Sequence, residues 1–145
     1  MATVGYEVSA ETEVRQSLVR FYEAINSMFK GDLKPMERIC SRSPDLTILT
    51  PFGGRQIGWK AAREQLQKES EMKFEGRVEP RDVLVRVLGD TAYTVSRIYS
   101  ENLKIGCKLL GCDLRSTCIF RQEGGEWKLV HHHVDLKPEA QNLKP

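Results

Sequence analysis

The chain has 145 residues, a length that suits one domain with its own core and leaves little room for a second. Its net charge is +2, and its basic residues are scattered among acids, unlike the clustered basic face of a nucleic-acid binder. No apolar run approaches the roughly 18 residues that a membrane span needs, so we expect neither a nucleic-acid nor a membrane partner.

The two ends of the chain are predicted to lie outside the domain. Residues 1–10 have neither a basic n-region nor an apolar h-region, so they do not read as a secretory signal. We expect a flexible arm at 1–8, one domain at 9–137 and a loose tail at 138–145. The four cysteines match no zinc or redox spacing and indicate reduced thiols in a cytoplasmic protein, with a Cys107–Cys112 bridge as the alternative.

Amphipathic segments in the first half predict helices. Ser9 precedes an acidic turn, and apolar residues then recur every three or four positions, which predicts a first helix of about 18–20 residues. Gly31 suits the left-handed position just beyond its end. Two further helices are predicted, a short one over 33–40 and a longer one over 59–72.

The second half predicts antiparallel strands. A short strand at 45–50 is followed by a turn, after which residues 55–57 can pair back. Longer runs rich in β-branched and aromatic residues follow at 83–88, 91–101, 109–121 and 127–136. Helices followed by an antiparallel meander indicate an α+β domain with its helices packed on one sheet face.

Two-residue turns predict which side chains share a face. Pairs at Gly89-Asp90 and Gly124-Gly125 are typical of tight hairpins. Counting from the second turn places five residues of the last strand on one face: Trp127, Leu129, His131, His133 and Asp135. The residues opposite them on the preceding strand are Phe120, Cys118, Ser116 and Leu114. Such a mixture of apolar and polar groups is typical of a pocket wall. Apolar residues on the other face predict a homodimer that packs through the outer face of the sheet.

Several motifs between residues 10 and 137 resemble the SnoaL-like branch of the nuclear transport factor 2-like superfamily. They are Phe-Tyr-Glu-Ala-Ile-Asn at 21–26, Pro-Phe-Gly-Gly at 51–54, Gly-Asp-Thr-Ala-Tyr at 89–93 and Trp-Lys-Leu-Val-His-His-His-Val-Asp at 127–135. The resemblance implies helices packed in a strongly curved, mostly antiparallel sheet that forms a cone around a pocket. The superfamily includes ketosteroid isomerases, polyketide cyclases, dehydratases, epoxide hydrolases and oligomerisation modules, so the fold alone assigns no activity.

Two comparisons within that superfamily narrow the chemistry. Where a ketosteroid isomerase carries a catalytic tyrosine and an aspartate base, this sequence carries Phe21 and Thr50, which argues against steroid isomerisation. The last segment also resembles the association domain of calcium/calmodulin-dependent kinase. The pocket arginines of that domain fall near Ile98 and Cys118 here, which argues against an anion-binding cavity.

His131, His133 and Asp135 are the candidate catalytic residues. An imidazole with a near-neutral pKa can move protons at physiological pH, and Asp135 could orient one of the rings. The alternative is that the histidines only satisfy hydrogen bonds within the fold. A Cys118–His131 nucleophile pair is a further alternative, whereas a metal site is not expected because all three histidines lie on one strand.

An acid–arginine–acid set like that of the epoxide hydrolases of this fold is not expected to assemble. The predicted pairing turns Asp113 and Arg115 to the opposite face from Asp135.

The candidate ligand-binding wall is mainly apolar, and each of its members can instead belong to the core. It comprises Phe21, Tyr22, Phe52, Trp59, Ile98, Cys118, Phe120 and Trp127. The leading hypothesis is a protein that binds a small apolar molecule and uses no cofactor, with isomerase, cyclase or dehydratase chemistry as its candidate activities. The alternative is a non-catalytic dimerisation or assembly module whose pocket is filled by its own side chains.

Overall fold

A computed structural model describes residues 9–106, 108–109 and 111–136. The predicted arm at 1–8, the predicted tail at 138–145 and the predicted alternative bridge to Cys107 lie outside these residues. Within the described ranges, no helix combines the length and the apolar character that crossing a membrane requires.

The first helix, α1, spans Ala10–Phe29, as the periodicity predicts. Ser9 caps it by accepting a 3.1 Å hydrogen bond from the Thr12 backbone N–H. Gly31 follows its end with φ at +89°, a conformation that favours glycine. The second helix, α2, spans Lys34–Ile39, and the third, α3, spans Trp59–Ser70.

Six strands form the main sheet, and the α+β prediction is confirmed. In chain order the strands are β1 (Thr47–Thr50), β2 (Gly53–Ile57), β3 (Phe74–Glu75), β4 (Glu79–Leu88), β5 (Thr91–Ser100), β6 (Lys104–Ile105), β7 (Lys108–Leu109), β8 (Cys112–Glu123) and β9 (Glu126–Leu136). The main sheet has the order β2-β1-β9-β8-β5-β4, and β1 runs parallel to β9 while the other neighbours are antiparallel.

A small second sheet has the order β3-β6-β7. Its three strands have two residues each. Such strands are too short to show an alternating pattern, which is why the sequence did not predict them.

Both predicted hairpins are confirmed. Leu88 pairs with Thr91 across the first turn, and Glu123 pairs with Glu126 across the second. On β5 the alternate residues Ala92, Thr94, Ser96 and Ile98 are all buried.

A β-bulge in β9 overturns the predicted face of the three candidate catalytic residues. Phe120 pairs with Leu129, as predicted, but Ile119 pairs with His131, which leaves Val130 as an extra residue. An extra residue inverts the alternation of every side chain beyond it. His132 and Val134 therefore point inward, and the prediction that His131, His133 and Asp135 share the inner face with Trp127 and Leu129 is wrong.

The core lies between α1 and the inner face of the sheet. Val14, Leu18 and Phe21 from α1 are buried with Phe120 and Leu129 from the sheet. Asn26 ties the helix to the start of β4 by bonding both backbone polar groups of Val78, at 3.0 Å and 2.8 Å. The helix is thereby held inside the curved sheet, with a space left at one end of the core.

Candidate functional site

An internal cavity of about 80 Å³ occupies that space, between α1, α3 and the inner face of the sheet. Its wall is largely apolar and draws on every layer of the fold, including Ile25, Ile48, Leu66, Ile98 and Val134. A cavity lined this way favours an apolar molecule and gives each polar wall group a strong influence on what binds.

Glu69 places a carboxyl group in this apolar wall. Its residue is only 4% exposed, and its Oε2 accepts hydrogen bonds from Thr50 Oγ1 at 2.8 Å and from Gln65 Nε2 at 3.0 Å. Among the described residues, nothing donates to the other oxygen, Oε1. Burial raises the pKa of Glu69, and the bonds from Gln65 and Thr50 offset part of that rise. The carboxyl group is therefore held at one oxygen and available at the other.

His132 places an imidazole in the same wall. The residue is 6% exposed, its Nε2 lies 2.9 Å from Ser116 Oγ, and its ring packs edge-on against Phe21 with 4.6 Å between centroids. Burial lowers the pKa of His132 to about 3, with smaller effects from the charges of His131 and His133. The ring is accordingly neutral at physiological pH.

The buried hydroxyl group of Tyr22 lies near Ser116, the partner of His132, and Tyr22 does not line the cavity. Tyr22 Oη lies 3.1 Å from Ser96 Oγ and donates a longer bond of 3.4 Å to the carbonyl oxygen of Arg97. Burial raises the pKa of Tyr22, and Ser96 and Ser116 partly oppose that rise by hydrogen bonding. Tyr22 is therefore a neutral donor that supports the inner face.

Phe52 lies at the edge of the cavity, where the β1–β2 turn meets the second sheet. It lines the cavity and is nevertheless 49% exposed. Its ring is 5.4 Å from that of Phe74, which is 4.9 Å from that of Phe29. These three rings form an aromatic rim between the cavity and the surface.

The family model of the SnoaL-like domain matches residues 14–135. The chain belongs to the SnoaL-like domain family. No curated protein matches it at a significant level.

Solved structures of nuclear transport factor 2-like proteins share the fold of this SnoaL-like domain. A protein of unknown function from Pseudomonas putida superposes with a TM-score of 0.75 at 21% identity, over 97% of this chain and 95% of that one. A proposed dehydratase from Streptomyces avermitilis superposes with a TM-score of 0.71 at 23% identity, over 88% of this chain and 96% of that one. A proposed association domain of calcium/calmodulin-dependent protein kinase type II from Thiobacillus denitrificans superposes with a TM-score of 0.70 at 18% identity. That superposition covers 86% of this chain and 94% of the other. At these identities the likeness establishes the fold alone.

The three candidate catalytic residues of the SnoaL-like domain lie on the outer face of its sheet. His131 Nδ1 is 2.7 Å from Thr47 Oγ1, and burial, followed by the charge of His133, lowers the pKa of His131. His133 is exposed. Asp135 accepts two bonds from Arg115, at 2.9 Å and 2.8 Å, and these lower its pKa. None of the three lines the cavity.

The expected separation of Asp113 and Arg115 from Asp135 is also wrong. The bulge turns Asp135 onto the same face as Arg115, where the two pair across the strands. Asp113 pairs with Arg97 on that face, at 2.9 Å and 2.8 Å. Arg115 and Asp135 therefore meet on the outside of the sheet and not in the cone, while Asp113 is bound there by a different arginine.

The predicted ligand-binding residues divide into two groups. Phe21, Phe52 and Ile98 line the cavity, whereas the others do not: Tyr22, Trp59, Cys118, Phe120 and Trp127. Cys118 and Phe120 are fully buried. Trp127 donates from Nε1 to Glu13 at 3.0 Å, and Trp59 lies under the Arg42 guanidinium at 4.5 Å.

The alternative chemistries at Cys118 receive no support from the geometry. Cys118 pairs across the sheet with His132 and not with His131. Burial raises its pKa to about 12, so its thiol is a poor nucleophile at neutral pH. Among the described residues, no three His, Cys, Asp or Glu side chains are grouped so that they could hold a metal ion.

Sequence reasoning missed Glu69 and His132. Glu69 continues the spacing of Trp59, Ala62 and Leu66 on α3, so a helical projection would have placed it on the apolar face. An unbroken alternation along the strand places His132 on the outer face, and the bulge at Val130 turns it inward.

Proposed function

We propose that this SnoaL-like domain binds a small, largely apolar molecule in its cone and that Glu69 transfers a proton on it. Isomerase, cyclase and dehydratase reactions are the candidate activities, since each can proceed by proton transfer without a cofactor. The observation that carries the proposal is the buried Glu69 carboxyl group, which lines an apolar cavity and is held by hydrogen bonds at Oε2 alone.

The environment of Glu69 suits a proton-transfer group. A carboxyl group whose pKa is raised by burial is a stronger base than an exposed one once it ionises, and a usable acid when it does not. Thr50 and Gln65 hold Oε2 from two different elements, which fixes the direction of Oε1. An isomerisation then takes a proton from one ligand atom and returns it to another, so that atoms and charges balance.

The size of the cavity limits the ligand. About 80 Å³ is less than the roughly 150 Å³ of an engineered cavity that binds benzene, and far below the roughly 300 Å³ or more of drug-sized sites. A larger ligand therefore requires the aromatic rim to move, and the half-exposed Phe52 is the member least held by packing.

Binding is tested with uncharged fragments, using methylcyclopentane and cyclopentanone in an amide NMR titration. We expect shifts centred on Ile48, Leu66 and Val134. Val134→Phe fills the cavity and should abolish these shifts, whereas His133→Phe, its neighbour on the outer face, should leave them intact. Shifts confined to the outer face, or none at all, would overturn the proposal.

Proton transfer is tested by the exchange of the α-hydrogens of cyclopentanone in D₂O. Wild-type protein should accelerate exchange above the buffer rate. Glu69→Gln should remove the acceleration, and Glu64→Gln, an exposed acid on the same helix, should not. Equal rates for wild type and Glu69→Gln would remove Glu69 from the proposal while leaving the binding test valid.

A homodimer through the outer sheet face is also proposed, and it provides the alternative function of an assembly module. Val95 and Leu84 are 41% and 39% exposed there, beside the half-buried Tyr93 and Ile119. The small cavity volume favours this alternative. Sedimentation that shows a dimer, together with a cone that takes up no fragment, would favour assembly over ligand chemistry.

A further inference from the structure

We infer that His132 is the second polar contact of the cone and that the ligand is an uncharged ketone or alcohol whose oxygen binds His132 Nδ1. This inference rests on the proposed function and specifies its ligand class. It rests on the position of one ring nitrogen and on the absence of cationic side chains in the described wall.

The two nitrogens of His132 have different surroundings. Nε2 is engaged by Ser116 at 2.9 Å, whereas Nδ1 has no hydrogen-bond partner among the described residues. Among the described residues, two buried side-chain polar atoms have neither solvent contact nor a hydrogen-bond partner. They are Gln56 Oε1 and Thr94 Oγ1. Nδ1 is not one of them, so it keeps accessible surface. Because the residue is only 6% exposed and lines the cavity, we assign that surface to the cavity.

The charge of the wall selects against ionic ligands. No lysine or arginine among the described residues lines the cavity, whereas Glu69 does. An anion bound here would lose its hydration without gaining a cationic partner and would face a carboxyl group. A neutral ligand avoids both costs.

The neutral imidazole selects the functional group. Its Nδ1 donates in one tautomer and accepts in the other, so it can bind a carbonyl oxygen as a donor or a hydroxyl group in either role. Ser116 and the edge-on contact with Phe21 hold the ring plane, which makes Ser116 a positioning residue. A hydrocarbon of the same shape would leave Nδ1 without a partner.

The test compares three probes of similar size in wild-type protein and in His132→Gln: cyclopentanone, cyclopentanol and methylcyclopentane. Glutamine can reach Ser116 with its terminal amide but has no polar atom at the position of Nδ1. The affinity of the oxygenated probes relative to methylcyclopentane should fall about five-fold in His132→Gln. It should be unchanged in His133→Gln, the matched control on the outer face. In wild type, cyclopentanone but not methylcyclopentane should shift the ¹⁵N resonance of His132 Nδ1.

The outcomes separate the two proposals. If all three probes bind in the cone and the relative affinity is the same in wild type and His132→Gln, the role of His132 is overturned and the proposed function stands. A wild-type Nδ1 resonance that responds equally to cyclopentanone and methylcyclopentane overturns it as well, even if His132→Gln does not fold. If no probe enters the cone, both proposals fail.

Discussion

Thr50 Oγ1 donates a 2.8 Å hydrogen bond to Glu69 Oε2 and thereby joins the end of the first strand to the third helix inside the cone. Position 50 is where the resemblance to ketosteroid isomerases places an aspartate base. In this chain a carboxyl group reaches the same region from α3, and the threonine holds it. Loss of the acid at one position of the sequence therefore does not mean loss of an acid from the cavity.

The stability of the protein should fall as the pH rises above the ordinary pKa of Glu69. That pKa is 4.5 in the unfolded chain and is raised by burial in the folded protein. Between these two pKa values the unfolded chain has released its proton while the folded protein retains it, so a rise in pH favours unfolding. Glu69→Gln should gain stability relative to wild type from pH 4.5 upward, as measured by urea unfolding at several pH values. A stability difference that stays constant with pH would contradict this reasoning.

His132 should make the opposite contribution on the acid side. Its pKa is lowered from 6.5 to about 3, so below pH 6.5 the unfolded chain takes up a proton that the folded protein excludes. The contribution of His132 to the free energy of unfolding is fully present above pH 6.5. It falls as the pH decreases, by up to about 1.4 kcal/mol per pH unit. His132→Gln should lack this loss, and His133→Gln should retain it. Parallel pH profiles for wild type and His132→Gln would show that the ring is protonated in the folded protein.

Deletion of Val130 should be less damaging than deletion of His133. Without Val130, Leu129 and His131 become consecutive, as their partners Phe120 and Ile119 already are, so His132 still points inward. Without His133, the alternation beyond His132 inverts and turns Asp135 into the core, with a cost above about 4 kcal/mol from a buried charge. Thermal unfolding followed by circular dichroism compares the two deletion variants. Equal stability of the two would mean that the strand can shift its register freely.

Asn26→Ala should cost about 2–4 kcal/mol. Its side chain satisfies both the N–H and the C=O of Val78 in a buried setting, and truncation leaves both without partners. Glu23→Ala, an exposed position on the same helix, should change the free energy of unfolding by less than about 0.5 kcal/mol. Equal losses for the two variants would show that the Asn26 contact contributes nothing specific.

Val95→Glu should convert the proposed dimer to a monomer. It places a charge among the apolar side chains of the outer sheet face, where Val95 is 41% exposed. Ile57→Glu, at an exposed position on the edge strand β2, is the matched control. Sedimentation velocity distinguishes the states, and a wild-type protein that is monomeric at micromolar concentration would refute the dimer.

Local signals predicted the elements well because their causes are local. Ser9 caps α1 through a backbone group three residues away, and Gly31 ends that helix in a conformation that other residues avoid. The turn at Gly124-Gly125 sets the pairing of its flanking residues in the same way. Such features depend on a few neighbouring residues, so the sequence displays them directly.

The face of the last strand also left a trace in the sequence. Its apolar residues occupy odd positions at Trp127 and Leu129 and even positions from Val130 to Val134. That change of phase marks an added residue. A count that assumes one unbroken alternation along the strand does not detect it.

Periodicity and short-range backbone preferences specify the α+β architecture, the hairpin turns and the apolar faces of the helices. These features, like the family resemblance, can therefore be predicted from the sequence. Which polar groups enter the cone depends instead on long-range contacts in the folded protein. Leu129 pairs with Cys40 and accepts a 2.8 Å bond from the Ser41 backbone N–H, whereas His131 pairs with Thr47 of β1. The bulge lies where β9 changes from one neighbour to the other. That change depends on the placement of segments some 85 residues away and turns His132 inward in place of His131 and His133.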